Sequence, residues 1–75
     1  MYTDVLILTD ASGNELTRKK QVGHVMEYLS FKAPELLNYP LTLRSETTGY
    51  TLTITPETTI NDWREFSKDC AMAYD

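Results

Sequence analysis

Seventy-five residues, with 41% apolar and 24% charged side chains, make one small globular domain near the size limit for folding without staples, and exclude a disordered polar chain. Eleven acidic residues against seven basic ones, a net charge of −4, argue against direct nucleic-acid binding, because binders of a phosphate backbone show the opposite balance. The single cysteine, Cys70, excludes an intramolecular disulfide, no apolar run approaches the roughly 18 residues that span a bilayer, and no leader pattern opens the chain, so a soluble cytoplasmic protein is expected.

The chain is read as one domain over residues 1–75. Tyr2–Thr9 contains the unbroken apolar run Val5-Leu6-Ile7-Leu8, which suits a strand buried on both faces. Asp10-Ala11-Ser12-Gly13-Asn14 is turn chemistry, since an Asp side chain bonds backbone amides ahead of it and Gly takes positive φ. A short second strand is expected near Glu15–Arg18; the alternative is a helix capped by Asn14 that starts at once. From Lys19 to about Lys32 the period changes, and Val22, Val25, Met26 and Leu29 form one helical stripe. Gly23 weakens that helix by about 1 kcal/mol relative to Ala. Pro34 disfavours helical geometry at Ala33, and residues 34–40 read as one helical turn or a packed loop between prolines.

Leu41 to Thr55 alternates with a period of two. Leu41, Leu43 and Ser45 share one face, Thr42, Arg44 and Glu46 the other; after a turn at Thr47-Thr48-Gly49, Tyr50, Leu52 and Ile54 oppose Thr51, Thr53 and Thr55. Pro56 ends this hairpin because it has no N–H to donate. Thr59 then caps a second helix, with Asp62 in its first turn. On that helix Ile60, Trp63, Phe66, Cys70, Ala73 and Tyr74 fall within half a wheel, and Asp62, Arg64, Glu65, Lys68 and Asp69 take the rest. The expected fold is α+β: a small three- to four-stranded, mainly antiparallel sheet with two amphipathic helices packed on one face, in the order β-β-α-β-β-α.

Nothing in the sequence carries catalysis. The one histidine, His24, sits mid-helix with no nucleophile motif, and Cys70 falls on the apolar stripe of the last helix as a buried, inert thiol. One histidine and one cysteine on separate helices lack metal-ligand spacing, the carboxylates form no calcium loop, and three isolated glycines build no phosphate cradle. No enzyme, metal or cofactor is expected. The surfaces say more. Seven threonines crowd residues 47–59, and an exposed strand face is their ordinary home; the alternative is a contact surface, such as an exposed edge open to strand addition. His24, Glu27 and Phe31 project from the far side of the first helix, with Tyr28 at its border. Phe31 either folds back under the Pro34–Pro40 loop or anchors a partner. Met72 lies on the charged side of the second helix. The Arg18-Lys19-Lys20 cluster reads as solvating the start of the first helix; the alternative is a role in docking an acidic partner.

These features suggest a small acidic protein-interaction module, an inhibitor or adaptor of the kind phages use as accessory proteins, which covers a functional surface of a larger protein. The alternative is a self-associating structural protein forming a symmetric homodimer. The candidate partner-binding residues are His24, Glu27, Tyr28, Phe31, Arg44, Glu46, Thr51, Thr53, Thr55 and Met72.

Overall fold

A computed structural model of the chain describes residues 5–72, without the side chains of Pro34 and Met72. Four strands, β1 (Leu6–Thr9), β2 (Glu15–Lys19), β3 (Leu41–Ser45) and β4 (Thr51–Ile54), form one open antiparallel sheet in the order β2-β1-β3-β4. Helix α1 (Val22–Ser30) links β2 to β3, and α2 (Ile60–Met72) follows β4. A 3-10 turn, Pro34–Leu36, answers the expectation of one helical turn between the prolines, and the Tyr39–Pro40 peptide is cis.

Both helices lie on the same face of the sheet. Leu6 and Leu8 of β1, Leu41 and Leu43 of β3 and Ile54 of β4 share the inner face and form one core with Val25 of α1 and with Trp63, Phe66 and Cys70 of α2. The period-two pattern of β3 is reproduced in its burial: Leu41, Leu43 and Ser45 are inside, and Arg44 is exposed. Val22, Met26 and Leu29 are half-buried against this core, which confirms the helical stripe. Cys70 is buried, as its position on the wheel predicts.

Turn chemistry settles the β1–β2 link in favour of a hairpin over an early helix. One Asp10 carboxylate oxygen accepts from the backbone N–H groups of Ser12 and Asn14, each at 2.9 Å, and Gly13 has φ +86°. β2 then runs to Lys19, one residue beyond the expectation, with an irregularity in register opposite Leu8 and Thr9 that lets Leu16 and Thr17 both turn toward the helices. Because the strand occupies Lys19, α1 starts only at Val22, three residues later than the periodicity indicated, and it ends at Ser30. Residues 2–4 and 73–75, which carried parts of the expected first strand and last helix, lie outside the described residues.

The Asp10 hydrogen bonds make a pH prediction. The Asn14 N–H, with smaller help from the Asn14 side chain and the Ser12 amide, holds the Asp10 carboxyl below its usual value of 3.8. A depressed folded-state pKa adds stability above the unfolded value and loses it as pH falls through the folded one. The loss of melting temperature between pH 5 and pH 3 is therefore expected to be smaller in Asp10→Asn than in the parent. An equal loss in both would show that this exposed carboxylate contributes nothing.

Two expectations are corrected on the helices. Ile60 is 60% exposed, although it shares half a wheel with Trp63, Phe66 and Cys70. At 100° per residue those three centre on one direction, and Ile60 lies roughly 90° from it, so the sheet meets the helix beside Ile60 rather than under it. The Arg18-Lys19-Lys20 cluster does not solvate a helix start. Arg18 and Lys19 belong to β2, where the Arg18 guanidinium lies 2.9 Å from Glu15 and 3.6 Å from Glu46.

Candidate functional site

No described helix covers the outer face of the sheet, and strand register arranges its residues in transverse rows. One row runs Glu15, Thr9, Thr42, Thr53 across the four strands, and the next runs Arg18, Ile7, Arg44, Thr51. Ile7 is only 6% exposed although it faces away from the core cluster. Its cross-strand partners on both sides are arginines, whose aliphatic stems are long enough to roof it while their heads stay in water. The double burial read from the Val5–Leu8 run is thus met on the outer side without a second layer.

Charge on this face is unevenly spent. A hydrogen bond from Arg18 holds Glu15 below the ordinary carboxylate range, and the same contact raises the pKa of Arg18. Glu46 supplies the other end of this arrangement. Arg44, by contrast, has no carboxylate within ion-pair distance among the described residues, and it stands exposed between Ile7 and Thr51.

Six of the seven threonines of residues 47–59 divide by role. Thr51 and Thr53 alone project from β4 on the outer face, exposed. Thr48, Thr55, Thr58 and Thr59 secure backbone at turns. The Tyr50 N–H donates to Thr48 Oγ1 at 3.2 Å, the Thr55 N–H to Thr58 Oγ1 at 2.8 Å, and the Glu57 N–H to Thr55 Oγ1 at 3.2 Å. Thr59 accepts from the Asp62 N–H while Asp62 accepts from the Thr59 N–H at 2.9 Å, a reciprocal cap of the kind expected at the start of α2. Thr55 is therefore a turn residue, half-buried, just beyond the end of β4.

The remaining candidates lie elsewhere. His24 and Glu27 are exposed on α1, and Phe31, at its C-cap, is 80% exposed rather than folded under the proline-flanked loop. Leu36 in the 3-10 turn is 78% exposed. Tyr28 is half-buried against the core; its hydroxyl donates to the Leu16 carbonyl at 3.4 Å and Lys32 Nζ lies 5.1 Å from its ring centre. Met72 closes α2, and its side chain lies outside the description. Since α1 packs on the inner face, its solvent side and the outer sheet face point in opposite directions. The structure brings Arg44, Glu46, Thr51 and Thr53 together and separates them from His24, Glu27 and Phe31.

β4 is an edge strand, as the strand-addition alternative for this hairpin supposed, and beside it lies a feature not read from the sequence: an open groove of about 1020 Å³ along α2, lined by Gly49–Thr53 and by Asp62, Glu65, Phe66 and Asp69. Leu52 and Phe66 supply its apolar floor. Among the described residues no three His, Cys, Asp or Glu side chains are grouped to hold a metal ion, and no helix is long and apolar enough to cross a membrane.

Compared with known protein families, curated proteins and solved structures, the chain matches none.

Proposed function

We propose that this chain is a non-catalytic protein-interaction module of the cytoplasm that works by occlusion, laying one side of its sheet over a functional surface of a larger protein. The observation that carries the reading is the outer sheet face: rows of hydroxyls around a shielded Ile7, with Arg44 exposed and free of any described ion pair. A sheet face carrying an uncommitted guanidinium and short hydroxyls can meet a partner's carboxylates and backbone at low ordering cost. Small inhibitors and adaptors, phage accessory proteins among them, are like this chain in size and composition. A symmetric homodimer is the competing reading, for which the unpaired edge of β4 offers a contact that the acidic side chains beside it oppose.

The test is capture of partners from a lysate of the source cell by tagged protein, with Arg44→Glu, Thr53→Arg and Phe31→Ala beside the parent. All three positions are exposed, so melting temperatures are expected to stay within about 2 °C of the parent. Arg44→Glu and Thr53→Arg are expected to abolish capture of the dominant partner, and Phe31→Ala to leave it intact. The reverse pattern would move the contact to the helical side of the molecule and sink the sheet-face reading.

A further inference from the structure

The free edge of β4 and the charges on α2 are arranged together. The Ser45 N–H donates to the Tyr50 carbonyl at 2.9 Å. In an antiparallel ladder the inward-bonding residues alternate, so Leu52 and Ile54 bond to β3, while the backbone N–H and C=O groups of Thr51 and Thr53 point out from the edge. No described strand pairs with them. Across the groove, the five charged side chains of α2 are sorted by sign. Asp62, Glu65 and Asp69 all line the groove. At 100° per residue Arg64 and Lys68 lie roughly 130° and roughly 90° around the helix from the centre of that acidic stripe. Asp62 is held by the Thr59 cap, but Glu65 and Asp69 have no hydrogen-bond or ion-pair partner among the described residues.

We infer that the β4 edge accepts an extended, basic segment of a partner protein as a fifth strand, with alternate lysine or arginine side chains set against Asp62, Glu65 and Asp69. This rests on the reading of the chain as a protein-interaction module. An added strand sends every second side chain to the helix side, about 7 Å apart, and the carboxylates from Asp62 to Asp69 span about 10 Å of helix. Two or three basic residues of one strand therefore reach the stripe. Its other side chains continue the Thr51 and Thr53 row and enlarge the outer face. A second copy of this chain is a poor occupant of the same edge: β4 pairing with its twin about a two-fold axis would bring the two acidic stripes toward each other.

The experiment uses the full chain, labelled with ¹⁵N, and a nine-residue peptide of alternating lysine and threonine, with a glutamate-threonine peptide as control. The lysine peptide is expected to slow amide exchange at Thr51 and Thr53 at least tenfold. The doubly substituted Glu65→Lys/Asp69→Lys variant is expected to bind it at least tenfold more weakly, and Thr53→Pro, which removes an outward N–H and no ladder bond, to abolish the amide protection. No binding, equal binding of the glutamate peptide, or binding without protection of the Thr51 and Thr53 amides would overturn strand addition. A concentration-dependent mass near 17 kDa, twice the chain's 8.6 kDa, would overturn it in favour of self-pairing. The two proposals fail separately: if Arg44→Glu abolishes partner capture while the peptide result is negative, the interaction module stands and the β4 edge is not its binding site.

Discussion

Leu8→Ala is expected to leave the chain largely unfolded at 25 °C. Leu8 is fully buried, and in the register of the sheet it stands between Thr17 of β2 and Leu43 of β3, within the core that the described residues form. Removing a leucine side chain from such a site costs about 2–5 kcal/mol, because the lost transfer energy is joined by that of an unfilled cavity. A domain of this length has roughly 3–5 kcal/mol to lose. Its neighbour Ile7 tests the contrast between the two faces. Ile7→Thr leaves the core untouched and places a hydroxyl among the hydroxyls of Thr9, Thr42 and Thr51, so it is expected to cost about 1–2 kcal/mol and to stay folded. Urea titrations followed by circular dichroism compare the two. Equal destabilisation would mean that the outer face is packed as tightly as the inner one.

Trp63→Ala is expected to have a comparable effect by a different route. Helix α2 reaches the core through Trp63, Phe66 and Cys70, and Trp63 is the largest of the three. Its truncation costs about 3–5 kcal/mol. It also removes the cover over β4, whose other side is a free edge. Amide exchange in β4 is therefore expected to accelerate more than exchange in β2. Ile60→Ala on the same helix, at a side chain 60% exposed, is expected to change stability by about 0.5 kcal/mol or less. If Ile60→Ala proved as damaging as Trp63→Ala, the orientation of α2 on the sheet would be wrong.

Much of this architecture is legible in the chain because local rules and the global fold agree. The alternation from Leu41 to Ile54, the Asp10–Gly13 turn and the Thr59–Asp62 cap each have a local cause, and each appears where that cause puts it. What was not legible depends on neighbours distant in sequence. Ile7 belongs to an apolar run, yet only strand order shows that arginines flank it. Arg18 sits beside two lysines in sequence, and its partner Glu46 arrives from the turn that follows β3, 28 positions away. The threonines look alike in sequence, and only hydrogen bonding separates the four that fasten turns from the two that face outward. The charges of α2 read as one solvated side of a wheel until the position of β4 divides them into an acidic flank and a basic one.

The strand order also bears on how the chain is made. β1, which leaves the ribosome before the other three described strands, lies inside the sheet, and its partner on one side is β3. Leu8 therefore waits for Leu43, 35 residues behind it, before the central pair can close. Until then β1 has only the hairpin with β2, and two strands alone are marginal in water. The hairpin of β3 and β4 is equally local, but it cannot bury its apolar face without β1. The slow step of folding should be the meeting of these two hairpins across α1, a loop closure whose entropy must be lost before any core contact repays it. Lengthening the segment between Phe31 and Leu41 would then slow folding while leaving the unfolding rate nearly unchanged.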